Sequence, residues 1–534
     1  MEPGSGPYVE SSERRMSADR SYYITTPIYY VNDLPHLGHA YTTVACDALA
    51  RFMRLDGYRV KFLTGTDEHG QKVEQSARAA GISPQQFTDR VSQGFREVTR
   101  LLDISNDDFI RTTEARHVRG VEALWRELDR RGEIYLGRFA GWYSVRDEAF
   151  YDESELIAGP QGRLAPSGAP VEWLEEENYF FRLSAWGERL LDFYEANPEA
   201  IAPRGRRNEV ISFVKGGLKD LSISRTSFSW GIPVPGNPKH VIYVWLDALI
   251  NYITALGYPE VESGDFATFW PADLHMVGKD ILRFHTVYWH AFLLAAGIAP
   301  PKRVFAHGWW TVEGEKMSKS LGNFIPPQQL VDTYGRDALR YFLLRELPFG
   351  SDGDFSHRAM IGRLNGDLAN DFGNLAQRVL VMINRNCGAQ VPQPAGFSAA
   401  DTALMEAARG LLGAVRPHMH EQSFHLALEA IWRVVGEANR YVDAQAPWAL
   451  RRTDEARMGT VLYTLAEAIR HLTILVQPFV PDASFKLLDQ LAVPLEARSF
   501  AALTECPLRP GTALPVPEGV FPRFVEVDAA AGRG

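Results

Sequence analysis

A chain of 534 residues with 46% hydrophobic and 11% aromatic residues is longer than one ordinary core, so roughly two to four well-packed domains are expected. No apolar run approaches the length of a membrane span, and residues 1–20 form a polar head expected to be disordered, so neither a membrane anchor nor a targeting peptide is expected. A net charge of −10 gives no general attraction to phosphate, while three dispersed cysteines (Cys46, Cys387 and Cys506) suit no disulfide framework and point to a reducing cytoplasm.

Ser21 to Thr26 is short, aromatic and β-branched and reads as a buried strand, and Pro27 to Pro35 supplies turn residues. A helix follows. Beyond His39, the apolar residues Val44, Ala48, Leu49, Phe52 and Met53 recur every three to four positions, which predicts an amphipathic helix with one buried face. Its N-terminus lies at His36-Leu37-Gly38-His39. Strand, turn and helix start together would present free backbone N–H groups and the positive end of the helix dipole to an anion, and Gly38 would let a nucleotide lie against the backbone.

Much further along, Val304 to Gly308 and Trp309 to Val312 read as strand material leading into Glu313-Gly314-Glu315, a turn that presents Lys316-Met317-Ser318-Lys319-Ser320. Two ammonium groups flanked by hydroxyls suit charge neutralisation on a phosphate. Neither motif contains a nucleophile poised by a base, and each alone is a weak pattern. Together they suit one ATP site in which positioning and stabilisation of developing charge supply most of the rate. Past Pro326-Pro327, the residues Leu330, Tyr334, Leu339, Phe342 and Leu343 predict helices, and Phe349 to Asp354 breaks the pattern. The remainder reads all-helical. Ile431, Val434, Val435, Ala438, Tyr441 and Val442 form one stripe and Leu462, Leu465, Ile469, Leu472 and Leu475 another, as in a bundle core.

The order of these motifs resembles that of the class I aminoacyl-tRNA synthetases, and in detail the methionyl-tRNA synthetases. The likeness runs from about Tyr22 to about Trp448 and includes Thr25-Thr-Pro-Ile-Tyr-Tyr30, Thr64-Gly-Thr-Asp-Glu-His-Gly-Gln71, Tyr243-Val-Trp-Leu-Asp-Ala248, Gly278-Lys-Asp-Ile-Leu-Arg-Phe-His285 and Tyr441-Val-Asp-Ala-Gln-Ala-Pro-Trp448. It implies an α/β fold: a Rossmann-like parallel-sheet catalytic domain split by an insertion, followed by an all-α anticodon-binding bundle. The implied boundaries are 21–116 and 241–312 for the two catalytic halves, 117–240 for the connective insertion, 313–358 for the lysine-loop and stem-contact region, and 359–534 for the anticodon-binding domain with its tail. The implied activity is ligation of L-methionine to tRNA(Met) through methionyl-adenylate, with the 2′-hydroxyl of the terminal ribose as acceptor.

By this resemblance His36, His39, Lys316 and Lys319 are catalytic, and Gly38 and Ser318 join them around ATP. Mg2+ accompanies ATP without a dedicated protein cage. Ile28, Tyr30, Asp67, Trp245, Ala248, Tyr252, Ile281 and His285 take methionine: Asp67 pairs the α-ammonium, Trp245, Ile28 and Ile281 make an apolar slot for a polarizable thioether, and Tyr30 and His285 supply polar tips. Leu249 stands where some members of the family have proline. Asn374, Arg378 and Trp448 match positions that read the anticodon by hydrogen bonding and stacking. Without the resemblance, Trp448 reads as a helix-end packing residue after Pro447. Arg358, Arg363, Arg378 and Arg385 supply local positive charge for tRNA, although a solvated helical surface has the same look.

Many members of the family carry paired Cys-x-x-Cys zinc knuckles in the insertion. Here no cysteine occurs between Glu114 and His240, and Gly141 to Tyr151 reads as an aromatic hairpin, so no structural zinc is expected. With no appended oligonucleotide-binding domain in view, a monomer is expected. The span from His36 to Lys316 leaves no room for the large editing domain of the leucine, isoleucine and valine enzymes, and a cysteine-specific enzyme would show cysteine ligands for a substrate-binding zinc. Two other classes share parts of the pattern. A non-catalytic tRNA-binding paralogue would lose the phosphate-binding side chains, and a pantothenate-synthetase-like ligase would have no use for the bundle.

Overall fold

The computed structural model describes residues 20–31, 35–147, 149–159, 162–312, 315–316 and 325–525. The expected disordered head up to residue 19, the lysine-loop residues Met317, Ser318, Lys319 and Ser320, and the end of the tail lie outside the described residues. Two compact units divide the chain.

The first unit comprises Ser21–Pro35 and Lys61–His307. Its sheet runs in the order Ile201–Ala202, Val304–His307, Leu274–Gly278, Ser21–Thr25, Arg59–Asp67, Tyr29–Tyr30, with Asp108–Arg111 also paired to Arg59–Asp67. Ile24 lies opposite Leu274, His275 opposite Val304 and Thr64 opposite Phe109, all in parallel. A parallel sheet is covered on both faces, so its strands must be apolar throughout rather than alternating. Tyr23, Ile24, Leu274, Met276, Val277, Val304 and Ala306 are all buried. Helix Ala115–Arg130 adds Val121, Leu124, Trp125 and Leu128 to the same core.

The insertion in this unit is antiparallel. Ile134–Ser144 pairs with Glu172–Phe181 along its length, and Ala149–Tyr151 closes the aromatic hairpin that the sequence predicts. Trp142 and Trp173 meet edge-on at 5.4 Å, and the Arg163 guanidinium lies over the Trp142 ring. Among the described residues no group of three or more His, Cys, Asp or Glu side chains is placed to hold a metal ion, and no helix is long and apolar enough to cross a membrane.

The second unit holds His36–Val60 and the described part of Gly308–Gly534. Helix Leu37–Leu55 begins where the periodicity places it, but fourteen of its nineteen residues are buried rather than one face. Partners on several sides account for this. Tyr41 packs on Trp310 and Phe349, Phe52 on Phe500, and Asp47 pairs with Arg340. Strand Trp310–Val312 lies between Glu315–Lys316, antiparallel, and Gly353–Phe355, parallel. A Cβ on Gly308 would sit 2.3 Å from the Ser351 carbonyl, so only glycine lets the chain pass there into the strand that leads to the lysines.

The rest is helical. Ala399–His420, capped by Ser398 with Asp401, packs against Phe424–Gln445 and Glu455–Val476. Every residue from Met458 to Val476 is buried, so this helix is the axis of the bundle and not the half-buried stripe that its leucines alone suggest. Its buried Glu467 carboxylate faces Arg470 and His471, and Arg470 is tied further to the carbonyls of Ala502 and Leu503, which satisfies a charge that burial would otherwise penalise.

Candidate functional site

His36 is the N-cap of helix Leu37–Leu55. Its Nδ1 accepts the Gly38 N–H at 3.0 Å, and the His39 Nδ1 accepts the His36 N–H at 3.1 Å, a reciprocal capping box made of two imidazoles. The rings stack with centroids 3.9 Å apart. Burial, helped by His36, holds the His39 pKa well below the usual imidazole range, so this ring is neutral near pH 7. With Nδ1 occupied as an acceptor on both rings, the proton of each neutral imidazole is on Nε2. The cap therefore fixes the orientation of both rings, with the proton of each on Nε2.

This differs in one respect from the sequence expectation. The amides of His36 and Gly38 are not left open for an anion, because the imidazoles cap them, and the His39 N–H goes to the His36 carbonyl at 3.0 Å. Gly38 likewise has a nearer reason than nucleotide approach. A Cβ there would lie 2.9 Å from His36 Cε1 and collide with the capping ring.

Lys316 ends the hairpin strand, opposite Thr311. Its supporting strand is pinned by Trp309 N–H to Asp352 and Thr311 Oγ1 to Asp354, both at 2.8 Å. Ser318 and Lys319 lie outside the described residues.

All eight residues expected to take methionine belong to the first unit, and Tyr30, Asp67 and Ile281 stand at or just beyond the ends of its parallel strands. Tyr30 sits beside Asp67 in parallel register at the end of Arg59–Asp67, with Ile28 just before it and the Lys72 ammonium 5.1 Å from the Tyr30 ring centre. Ile281 lies in the turn after Leu274–Gly278, and His285 lies in a π-helical turn, Phe284–Tyr288, a wider turn often found at functional sites. Trp245 and Ala248 lie on Val244–Leu249 and Tyr252 on Asn251–Thr254. Ligand sites of open α/β sheets form at this carboxyl edge.

Three of the eight are directly coupled. His285 Nδ1 lies 2.9 Å from the Ile281 carbonyl, which can only accept, so Nδ1 carries the proton and Nε2 accepts from the Tyr252 hydroxyl at 2.7 Å. Burial pushes the His285 pKa down to about 4. Neither imidazole nitrogen nor the phenolic proton is left for a ligand sulfur. Trp245 stacks on Phe284 at 3.7 Å and 5°, and its buried Nε1–H has no acceptor among the described residues. A cavity of about 470 Å3 in the same unit, lined by Lys72, Gln75, Tyr143, Arg146, Pro170 and Glu172 among others, includes none of the eight.

Other residues that shape this edge carry no assignment from sequence reasoning. Glu68 is fully buried and held by Arg111 at 2.7 and 2.9 Å, Thr66 at 2.7 Å and Thr113 at 2.6 Å. His69 Nδ1 lies 2.7 Å from Asp247 Oδ2, and His117 Nε2 lies 2.8 Å from Asp247 Oδ1. Burial works against the Asp247 charge, but the two histidines outweigh it and hold the carboxyl at about 2. Glu68, His69 and Asp247 all stand inside sequence blocks quoted above, and that is the only signal that could have found them.

In the bundle, Asn374 and Arg378 are one turn apart on helix Asn374–Asn386. Arg378 reaches Asp443 at 3.3 Å and Asn439 at 3.5 Å on Phe424–Gln445, whose C-terminal end leads to Trp448. Trp448, in the short helix Pro447–Leu450, is 50% exposed. Its ring is open to stacking.

Residues 22–165 and 160–380 match the family of class I tRNA synthetases (M), and residues 391–531 match the anticodon binding domain of methionyl tRNA ligase. The chain belongs to the methionyl-tRNA synthetase family. Among its relatives, a methionine–tRNA ligase from Brucella suis is 59% identical over 95% of this chain and 98% of its own length, and one from Mycobacterium tuberculosis is 54% identical over 95% and 98%. The solved structure of Mycobacterium tuberculosis methionyl-tRNA synthetase in complex with methionyl-adenylate superposes with a TM-score of 0.93, covering 94% of this chain and 100% of that one. For a member of this family, the parallel sheet is the Rossmann-like catalytic core and the helical C-terminal region the anticodon-binding part.

Proposed function

We propose that this chain is a methionine–tRNA ligase that activates L-methionine with ATP and transfers it to the 3′-terminal ribose of tRNA(Met). The observation that carries this reading is the imidazole capping box at His36 and His39, a pair of pre-oriented N–H donors, in a chain related over nearly its whole length to methionine–tRNA ligases. A methionyl-adenylate-bound relative supports adenylate chemistry.

In the first step a carboxylate oxygen of methionine attacks the α-phosphorus, and the bond to the bridging oxygen breaks as pyrophosphate leaves with its electron pair. Negative charge builds on the phosphoryl oxygens. The Nε2–H groups of His36 and His39 and the ammonium groups of Lys316 and Lys319 meet that charge, and fixed donors need no reorganisation at that moment. Ser318 adds a contact to ATP, and Gly38, having no side chain, leaves room for the nucleotide beside the capping imidazole. Mg2+ accompanying the triphosphate would lower its negative charge, with no dedicated protein cage required.

Asp67 pairs the α-ammonium of methionine. Ile28, Trp245, Ala248 and Ile281 enclose the side chain, with Tyr30, Tyr252 and His285 at its polar edge. Because Tyr252 and His285 spend their protons on each other and on Ile281, the thioether is recognised by shape and dispersion more than by hydrogen bonding. In the second step a terminal ribose hydroxyl adds to the acyl carbon, AMP leaves, and one proton is released. Asn374, Arg378 and Trp448 hold the anticodon. In this reading 21–116 and 241–312 form the two catalytic halves, 117–240 the connective segment, which packs into the catalytic core through helix Ala115–Arg130 and strand Ile201–Ala202, 313–358 the lysine-loop region and 359–534 the anticodon domain. The enzyme works as a cytoplasmic monomer whose insertion needs no zinc, a reading supported by its dispersed cysteines and its tryptophan pair.

The test is formation of acid-precipitable methionyl-tRNA from radiolabelled methionine, ATP and a tRNA(Met) transcript. Charging that needs all three and falls when the anticodon is altered supports the reading. Equal charging of a transcript with an unrelated anticodon, or none at all, contradicts it.

A further inference from the structure

The residues assigned to methionine reach it from separate segments: Asp67 from the end of a strand, Trp245 and Ala248 from one short helix, and Tyr252 from the next turn. A single buried carboxylate joins these segments. Asp247 lies between Trp245 and Ala248 on Val244–Leu249, and its Oδ2 is 2.7 Å from Nδ1 of His69, two residues beyond Asp67. Its Oδ1 is 2.8 Å from Nε2 of His117, whose Nδ1 is 2.9 Å from Thr254 Oγ1 in the turn that carries Tyr252. Asp247, His117 and Thr254 are almost wholly buried, and His69 is 7% exposed.

An ionised carboxylate accepts only, so both facing imidazole nitrogens donate, and each ring has one allowed orientation. Burying that charge is costly unless both oxygens are occupied. The two residues that follow Asp67 are both tied down, Glu68 by Arg111 and Thr113 and His69 by Asp247.

We infer that Asp247 is a positioning residue for methionine recognition: through His69 and His117 it sets the Asp67-bearing turn against the elements carrying Trp245, Ala248 and Tyr252. This rests on the methionine-ligase reading above. Asp247 touches no reacting atom. Its loss therefore moves the carboxylate that pairs the ammonium relative to the wall that holds the side chain, and weakens methionine without weakening ATP.

The experiment is methionine-dependent exchange of pyrophosphate into ATP, with active-site titration to count folded enzyme, for wild type, Asp247→Asn, His69→Gln and the double variant. Asp247→Asn keeps the volume but turns one acceptor into a donor facing an imidazole N–H. The KM for methionine is expected to rise about ten- to hundred-fold in each single variant. The KM for ATP should stay within about two-fold, and the double variant should be little worse than either single one because both act through one contact. Should Asp247→Asn not fold, His69→Gln at the edge of the cluster carries the same test. Wild-type exchange with unchanged methionine KM in the folded variants, or an equal rise in both KM values, overturns the inference alone. Absence of wild-type exchange with methionine overturns the ligase reading and this inference with it.

Discussion

Arg340 donates to Asp47 across 2.6 Å with both side chains shut away from water. Asp47 is on the helix that His36 caps, and Arg340 is on Arg336–Arg345, the second helix after the lysine motif. Arg340 also binds the carbonyls of Pro478 at 2.8 Å and Phe479 at 3.3 Å, so one guanidinium ties the histidine helix to the end of the bundle's axial helix. The helix capped by His36 and the second helix after the lysine motif are thus joined by a buried charge pair.

The pair is unequally backed up, and this gives a directional prediction. Arg51 also binds Asp47, at 2.8 Å, so removing Arg340 leaves the carboxylate a cationic partner, whereas removing Asp47 takes the carboxylate away from a fully buried guanidinium. Asp47→Ala should cost about 3–5 kcal/mol of stability and Arg340→Met clearly less. Urea unfolding of the second unit's transition checks the order, and equal losses would contradict it.

Gly38→Ala separates stability from chemistry. Alanine is a better helix former by roughly 1 kcal/mol, while the Cβ forces the His36 ring off its cap at a cost of about 1 kcal/mol, so stability should barely change. Pyrophosphate exchange should nevertheless drop about a hundred-fold or more, because the capped geometry is what orients Nε2–H. A variant of near-normal activity would show that the cap does not orient the donors.

Buried neutral histidines make stability depend on pH. Burial holds His285 at about 4 and His290 at about 3, and lowers His39 and His275 well below the ordinary value. The unfolded chain takes up protons near pH 6.5 that these folded groups refuse until lower pH, so stability is full above about 6.5 and falls as pH drops toward 4. His285 alone accounts for roughly 3 kcal/mol across that window. Asp247 and Glu467, held at about 2, add losses only at lower pH, as they protonate between the ordinary carboxylate range and about 2. Denaturation midpoints measured from pH 8 to 5 should decline below 6.5, and a flat profile would contradict the neutral assignment.

Trp448→Ala should affect tRNA and not adenylate formation. Stacking of a base on an exposed ring is worth about 1–3 kcal/mol, so the KM for tRNA should rise roughly ten- to hundred-fold while methionine-dependent exchange is unchanged. Parallel exchange and charging assays check this. A fall in exchange would make Trp448 a structural residue.

The parts of this molecule legible in its sequence are those written in local pattern. The first strand, the start of the histidine helix, the insertion hairpin and the bundle stripes follow from periodicity and turn residues, and the structure places them there. Burial of helix Leu37–Leu55 on most sides was not legible, because Trp310, Phe349 and Phe500 come from distant sequence and periodicity reports only one face at a time. The same limit hid the role of His69 and Asp247. Each looks unremarkable until folding brings them to 2.7 Å, and an aspartate between Leu246 and Ala248 carries no local sign of two histidine partners. The capping role of His36 shows the converse. The sequence located the helix end, but which groups cap and which donate required the backbone angles and ring positions.

The most direct measurement is amino-acid-dependent exchange of pyrophosphate into ATP, with methionine, leucine, isoleucine and cysteine compared, and His39→Ala and Lys319→Ala alongside. Exchange supported by methionine far above the others, and reduced about a hundred-fold or more in both variants, is the result this account predicts. Exchange with a different amino acid would contradict the pocket assignment, and exchange undiminished in the variants would contradict the role given to the two signatures.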